Sequence, residues 1–110
     1  MANKRSYLGE FEHCVLLSIL QLKDNAYGVS IRAQLKKAID RDVSLGAIYS
    51  TIERLENKGL IQSEKSEALP ERGGKPKRLV KVTSSGHKEL IETKKRIDTM
   101  WENVTCDDFY

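Results

Sequence analysis

The sequence predicts a mainly α-helical chain with one small β-hairpin, and three features of residues 44–86 indicate this fold class. Apolar residues at helical spacing end at a glycine, two short alternating segments follow, and a new helix start closes the stretch. A turn rich in glycine, proline and basic residues separates the alternating segments and interrupts both helix and strand. This order predicts a winged helix-turn-helix, followed by a long C-terminal helix.

The first helix is predicted from Leu8 to Leu22, and it carries more apolar side chains than one face can hold. Phe11 and Val15 line one side, whereas Leu16 and Leu20 extend the apolar surface further around the circumference. A helix that is apolar on several sides is buried on more than one side. In so short a chain, this predicts a core on one face and a second subunit on another.

The second helix is predicted from about Tyr27 to Arg41, after a polar turn in which Asn25 or a neighbour provides the cap. The positions expected to face the core are Val29, Ile31, Leu35, Ala38 and Ile39.

The third helix is the one expected to enter a DNA groove, and its apolar residues recur at intervals of three, four and three. These residues are Leu45, Ile48, Ile52 and Leu55, which fall on one face of a helix. The hydroxyl of Ser44 can cap the helix start, where backbone N–H groups lack partners. Gly59 suits the left-handed position that commonly ends a helix.

The hairpin is predicted to pair residues 60–66 with residues 77–83, and its basic side chains gather near the tip. They are Arg72, Lys75, Lys77, Arg78 and Lys81. One interpretation is a solvated turn that keeps an edge strand from aggregating. The other is a wing whose cations displace counterions from nucleic acid, which gives affinity without regard to sequence.

The last helix is predicted to start after Thr83, with Ser84 or Ser85 as its cap, and to run to about Val104. Its apolar positions form a partial heptad repeat of Leu90, Ile97, Trp101 and Val104. An isolated helix of this length needs a packing partner to be stable. A second copy of the chain is the expected partner. The sequence therefore divides into residues 1–83 as a DNA-binding unit, 84–104 as a dimerisation helix and 105–110 as a tail.

Composition agrees with a small binding module. The 110 residues carry a net charge of +3, and the charge is unevenly distributed. Residues 60–83 have six Lys and Arg against three acids, and residues 84–110 have four against six. The positive charge is thus predicted to lie on the side of the hairpin, as expected if that side faces DNA.

Neither a membrane span nor a metal site is predicted. No apolar run approaches the ~20 residues of a membrane helix, and the chain opens on no signal-peptide pattern, so a cytoplasmic location is expected. Cys14 and Cys106 have no short spacing that indicates a redox pair. His13 and His87 lack further ligands at usable spacing for zinc. No cofactor is expected.

Four segments carry a family resemblance: AYGVSIRAQL at 26–35, SLGAIYSTIERLENKGLI at 44–61, ERGGKPKR at 71–78 and VTSSGH at 82–87. In this order they resemble the PadR family of bacterial transcriptional regulators, over nearly the whole chain. The resemblance implies a homodimeric winged-helix DNA-binding protein, usually a repressor, whose long C-terminal helix dimerises. Its DNA partner would be a double-stranded operator with an inverted repeat.

The expected contact residues follow from this layout. Those predicted to contact DNA are Ser44, Leu45, Gly46, Ala47, Tyr49, Ser50, Arg54, Arg72, Gly73, Gly74, Lys75, Lys77 and Arg78. Those predicted at the dimer interface are Phe11, Leu16, Leu20, Leu90, Ile97, Trp101 and Val104. The resemblance also implies a small hydrophobic or aromatic effector stacked on a tryptophan of the last helix. Trp101 lies about one turn beyond the family position and Ile97 nearer to it, so Trp101 as ligand platform and as dimer core both remain open.

Two other functions compete with DNA-binding regulation. A winged helix used only for protein contact has the same fold, and the basic hairpin argues against it. An enzyme is not expected, because the sequence offers no nucleophile with a base and an orienting group, and no glycine loop that cradles phosphate.

Overall fold

The computed structural model describes residues 7–65 and 77–109, which form four α-helices and one hairpin. The helices are α1 (Glu10–Leu22), α2 (Gly28–Ile39), α3 (Leu45–Asn57) and α4 (Ser84–Trp101), and the strands are β1 (Ile61–Lys65) and β2 (Arg78–Val82). Short 3-10 turns at Lys23–Asn25 and Cys106–Phe109 follow α1 and α4. The predicted fold class, a mainly helical winged helix with one hairpin, is confirmed.

The hairpin is antiparallel and lies against the start of α2. Its register pairs Ile61 with Val82 and Ser63 with Val80. The backbone N–H of Val80 also donates to the carbonyl oxygen of Ala26 at 2.9 Å. Because Ala26 precedes α2, this bond connects the hairpin to the helix-turn-helix.

The core lies where α1, α2, α3 and the hairpin meet. Its buried apolar side chains are Val15, Leu16, Ile19, Ala26, Ile31, Leu35, Ile48, Ile52, Leu55, Leu60, Ile61, Val80 and Leu90. The helical spacing of α3 explains its share of this core, since its buried positions fall on one face. The amphipathic pattern predicted for α3 is therefore confirmed.

The predicted caps at both ends of α3 are confirmed, whereas the caps predicted for the starts of α2 and α4 differ from those observed. Ser44 Oγ accepts a hydrogen bond from the Ala47 N–H at 3.1 Å, and Gly59 adopts a positive φ of 75°. The expected cap at Ser84 or Ser85 is wrong, because the side chain of Thr83 accepts from the Gly86 N–H at 3.1 Å. The residue that caps α2 is Tyr27, two positions after Asn25, and its side chain makes no capping hydrogen bond.

At the start of α2 the capping group is Ser30, inside the helix. Its hydroxyl accepts from the Tyr27 N–H at 2.9 Å and donates to the Asn25 carbonyl at 2.6 Å. The side chain thus reaches back to the backbone N–H of the cap residue, as the third helical residue of a capping box does.

The core face predicted for α2 is too wide. Ile31 and Leu35 are buried, but Val29, Ala38 and Ile39 are exposed. The reason is that α2 packs through one narrow stripe at a spacing of four, so apolar residues to either side reach the surface.

The first helix is apolar on two sides, as predicted, but its residues divide differently. Leu16 is fully buried within the single chain, whereas Leu17 and Leu20 are exposed. Leu16 therefore has no surface left for a second subunit, and the interface expectation is corrected at this position.

The last helix begins on the core and then leaves it. Gly86, Leu90 and Thr93 are buried, but every residue from Ile97 to Phe109 is exposed. The helix ends at Trp101, three residues before the predicted end, and Val104 follows in the connection to the last 3-10 turn. From Ile97 onward, α4 thus projects away from the core, and the described part of the chain leaves its apolar side chains exposed.

Candidate nucleic-acid interface

The start of α3 presents a polar surface opposite the core. Ser44, Gly46, Ala47, Tyr49 and Ser50 are exposed, and Leu45 is half-buried. The other face is held in place by Ile48, Ile52 and Leu55, all at most 1% exposed. A helix-turn-helix reads DNA with residues at the N-terminal end of its second helix. The predicted DNA-contact residues of α3 up to Ser50 therefore lie together on one outward face.

Tyr49 lies over Gly28, the first residue of α2. A Cβ atom built on Gly28 would come within 2.6 Å of the Tyr49 ring and hydroxyl, which is closer than real side chains approach. Glycine is therefore required here for the close contact between the two helices. The contact fixes the phenol of Tyr49 near the start of α2, with the side chain still partly exposed.

Tyr27 carries a second phenol at the same helix start. Lys77 donates from Nζ to the Tyr27 hydroxyl at 2.7 Å, and its ammonium lies 3.9 Å from the ring centroid. Lys77 directly precedes β2, at the end of the strand next to the turn, so this contact connects the tip side of the hairpin to α2. Sequence reasoning did not assign Tyr27 and Gly28 to the site. The segment AYG at 26–28 was a signal for them, since both residues lie within it.

Two predicted DNA-contact arginines are already engaged within the chain. Arg78 forms an ion pair with the Glu56 carboxylate and donates from Nε to Ser63 Oγ at 3.0 Å. Arg54 donates from Nη2 to Thr51 Oγ1 at 3.0 Å. Both side chains are half-exposed, but their donors contact protein groups. The predicted contacts at Arg72, Gly73, Gly74 and Lys75 lie outside the described residues.

The residues predicted at the dimer interface lie in different surroundings. Leu90 is largely buried, and Phe11 is half-buried with the Arg41 guanidinium 4.8 Å from its ring centroid. Leu20, Ile97, Trp101 and Val104 are exposed. A groove of about 400 Å³ runs between α1 and α4, and its lining residues are His13, Leu17, Leu20, His87, Leu90, Ile91 and Lys94. Most of the predicted interface is thus apolar surface that the single chain leaves open.

Trp101 has one aromatic neighbour. The ring of Phe109, in the last 3-10 turn, lies 6.4 Å from it between centroids, at an interplanar angle of 32°. Both rings are exposed, at 58% for Trp101. Neither the dimer-core nor the ligand interpretation of Trp101 is decided by this contact.

Nothing in the described ranges resembles a metal or redox site. Within residues 7–65 and 77–109, no group of three His, Cys, Asp or Glu side chains is arranged to hold a metal ion. Burial, together with the nearby Glu10 carboxylate, raises the pKa of the Cys14 thiol, which disfavours the reactive thiolate. None of the described helices combines the length and apolar character needed to cross a bilayer.

Comparison with known proteins identifies this arrangement. The sequence profile of the transcriptional regulator PadR-like family matches residues 16–92, which is more than half of the chain. The chain belongs to this family. A PadR-like transcription factor from Bacteroides fragilis is 30% identical, with a TM-score of 0.71 over 86% of this chain and 85% of that one. No curated protein matches the sequence significantly.

Other solved structures agree. A PadR-like regulator from Bacillus cereus has 26% identity and a TM-score of 0.68, covering 86% of this chain and 89% of that one. A winged-helix DNA-binding protein from STIV shares the fold at 18% identity, with a TM-score of 0.64 and coverage of 92% and 98%. The PadR-like family consists of transcription regulators with a winged-helix fold, so this chain is a regulator rather than an enzyme.

Proposed function

We propose that this PadR-like regulator is a homodimer that binds an inverted repeat in double-stranded DNA and represses transcription there. The observation that carries the proposal is the division of α3 into a buried apolar face and an exposed face formed by residues at its N-terminal end. Such a helix can enter the major groove while its other side stays in the core. The proposed division of labour assigns residues 1–83 to DNA, 84–104 to dimerisation and 105–110 to a tail.

Base reading by this helix is expected to be modest. Its first turns have no Asn, Gln or Lys, so the bidentate pairings that read adenine or guanine are missing. Leu45 and Ala47 can meet thymine methyl groups, and Tyr49 can donate its hydroxyl to a phosphate. Much of the discrimination would then come from the shape of the DNA, which favours an AT-containing site.

Dimerisation is proposed through α1 and α4. The exposed groove between them is lined mainly by leucine and isoleucine, and Ile97 and Trp101 continue the apolar surface along α4. A helix with this much exposed apolar surface is stabilised when a second copy covers it. Two copies related by a two-fold axis would present two copies of α3 to one face of the DNA.

The hairpin is proposed to act as a wing that contacts phosphates. Lys77 lies where the turn meets β2, and Arg72 and Lys75 belong to the turn predicted from the sequence. The ion pair of Arg78 with Glu56 gives that residue a second role, because it joins the hairpin to the end of α3. We therefore expect Arg72 and Lys75 to contribute more non-specific affinity than Arg78.

Salt dependence separates this function from a winged helix used only for protein contact. Fluorescence anisotropy would measure binding to a labelled random-sequence duplex between about 50 and 200 mM salt. We expect log K to fall linearly with log salt, and Arg72→Ala to flatten the slope by about one unit per subunit. Lys95→Ala on α4 is the matched control and should leave the slope unchanged. Absence of salt-dependent binding would favour the protein-contact module.

Repression and relief by a small hydrophobic or aromatic effector are proposed from the family resemblance, with Ile97 and Trp101 as the candidate contacts. Acting on DNA also implies a cytoplasmic location. A transcription reporter driven by the DNA upstream of the chain's own gene tests the sign of regulation. Expression should fall when the regulator is present, and a rise would contradict repression.

A further inference from the structure

One carboxylate in the first turn of α1 is buried in the fold. The side chain of Glu12 is only 9% exposed, and its oxygens accept hydrogen bonds from two donors and form a longer ion pair with a third group. The Gly9 N–H donates to Oε1 at 2.9 Å, and Lys58 Nζ lies 2.9 Å from Oε2 and 3.1 Å from Oε1. Arg54 Nε lies 3.7 Å from Oε2.

Both cationic partners of Glu12 belong to the end of α3. Arg54 lies in its last turn, and Lys58 directly follows its last residue. A carboxylate near the C-terminal end of a helix is unfavourable by itself, because that end carries partial negative charge. The two cations outweigh this repulsion. Arg54 also donates a hydrogen bond to Thr51, which is buried within α3. Glu12 therefore holds the far end of α3 against α1.

A second acid in the first turn of α1, Glu10, contacts the segment that connects α2 to α3. Glu10 accepts a hydrogen bond from Arg41 Nη1 at 2.6 Å, and Arg41 lies in the connection before α3. Glu10 is largely exposed, so this pair is screened by water and contributes little. The pair at Glu12 is better shielded, since the carboxylate is 9% exposed and Lys58 32% exposed, so removal of one partner leaves a charge with reduced access to water. Of the two contacts, only the one at Glu12 can hold α3 firmly.

We propose that Glu12 is a positioning residue for DNA recognition, which sets the orientation of α3 relative to α1. The inference rests on the proposed function, because α1 also carries the surface proposed for dimerisation. A fixed angle between these helices fixes how the two copies of α3 in a dimer meet the two half-sites. Recognition sites need a geometry held within about 0.5 Å and 10–20°, and a buried supporting contact supplies this.

The test compares Glu12→Gln with Glu10→Gln. Each change removes one negative charge and keeps the side-chain length, and only the first removes the buried contact. The probes are the duplex that the wild-type chain enriches from a random pool and a shuffled duplex of the same composition. We expect Glu12→Gln to lower the ratio of the two affinities by about tenfold, and Glu10→Gln by less than about twofold. Binding to the shuffled duplex should not weaken.

A stability effect would give a different result. Partial unfolding lowers both affinities equally and leaves their ratio unchanged, which would overturn the inference. The double variant Glu12→Gln with Lys58→Met provides a second measure, because it removes the unpaired ammonium that Glu12→Gln leaves. It should recover thermal stability but not discrimination. Recovery of both would contradict a positioning role.

Hydrogen exchange keeps the inference testable if the proposed function fails. When the wild-type chain enriches no duplex, the proposed function is wrong, and the amides of residues 45–57 still report on Glu12. These amides should exchange faster in Glu12→Gln than in Glu10→Gln, while those of residues 28–39 change little. Equal exchange in the two variants would overturn the inference.

Discussion

The helix α3 and the second half of α4 have the same kind of amphipathic sequence but lie in opposite surroundings. In α3, Ile52 is 1% exposed and lies in the core of its own chain. In α4, Ile97 is 50% exposed, and every residue after it up to Phe109 is exposed as well. The apolar residues of α3 are buried within one chain, whereas those near the end of α4 are exposed in it, where the proposed second copy would cover them.

Under the proposed function, this difference lets a chain of 110 residues carry both a DNA-reading helix and an assembly surface. The reading helix must be rigid, so its apolar face, its caps and the contact between Tyr49 and Gly28 fix it within the monomer. The helix proposed for assembly leaves its apolar stripe exposed, where a second copy would cover it. Changes in α3 should therefore act on folding and DNA reading, and changes in α4 on assembly.

The largest effect should come from charges on the exposed stripe of α4. Replacing both Ile97 and Trp101 by Glu should weaken dimerisation by about a hundredfold or more, because an unpaired charge would be desolvated in the interface. The monomer should still fold, since both positions are exposed in it. Light scattering across a dilution series measures the change. Lys95→Glu on the opposite side of α4 is the control. If it weakens dimerisation equally, the apolar stripe of α4 is not the interface.

Replacing one isoleucine by alanine in each helix tests whether α3 is stabilised within the monomer and α4 by a second copy. Ile52→Ala should lower the free energy of unfolding by about 2–5 kcal/mol, because it opens a cavity in the core. This loss should not depend on protein concentration. The loss from Ile97→Ala should vanish as the chain is diluted below its dimer dissociation constant. Denaturant unfolding at several concentrations checks this, and a concentration-independent loss at Ile97 would contradict the account of α4.

A smaller effect is expected at the contact between α2 and α3. Gly28→Ala puts a methyl group where the Tyr49 ring lies, so the ring must move. We expect duplex affinity to fall by about tenfold, which corresponds to about 1.4 kcal/mol, the size of one hydrogen bond that the displaced Tyr49 hydroxyl would no longer make to a phosphate. Ile39→Ala, at the exposed other end of α2, is the control. Anisotropy titrations of both variants measure the effect. If the two variants bind the duplex with equal affinity, the contact between Tyr49 and Gly28 is not needed for DNA binding.

The smallest effect concerns pH and the support of α3. Burial by itself raises the pKa of Glu12, but the Gly9 N–H, Lys58 and Arg54 together lower the pKa below its ordinary value. The ionised carboxylate then contributes stability above the unfolded-state pKa, and this is lost as pH falls through the folded-state pKa. The difference in unfolding free energy between wild type and Glu12→Gln should thus be constant above about pH 5 and shrink below it. A difference that grows toward acid would contradict the assignment.

The sequence predicted most of the fold because its strongest signals are local. The spacing of Leu45 to Leu55, the cap at Ser44 and the positive φ at Gly59 depend on nearby residues only, and all are confirmed. The errors arose where packing between elements decides. Whether Ile39 is buried depends on how narrow the contact of α2 is, and whether Leu16 or Leu17 faces outward depends on the rotation of α1.

The candidate site was predicted less completely for the same reason. The exposed residues of α3 follow from periodicity, but Gly28 and Glu12 act through partners far along the chain. Glu12 and Lys58 are 46 residues apart, and nothing in either local pattern relates them. Tyr27 and Lys77 are likewise 50 residues apart. Such contacts require the fold itself.

Selection of duplexes from a random pool by the wild-type chain tests the central claim most directly, because it depends on both helices at once. A two-fold dimer with α3 in the major groove should enrich an AT-containing inverted repeat, with half-sites about one helical turn or a multiple of it apart. Recovery of an asymmetric site, or of no enriched sequence at all, would contradict a dimeric regulator that reads DNA with α3.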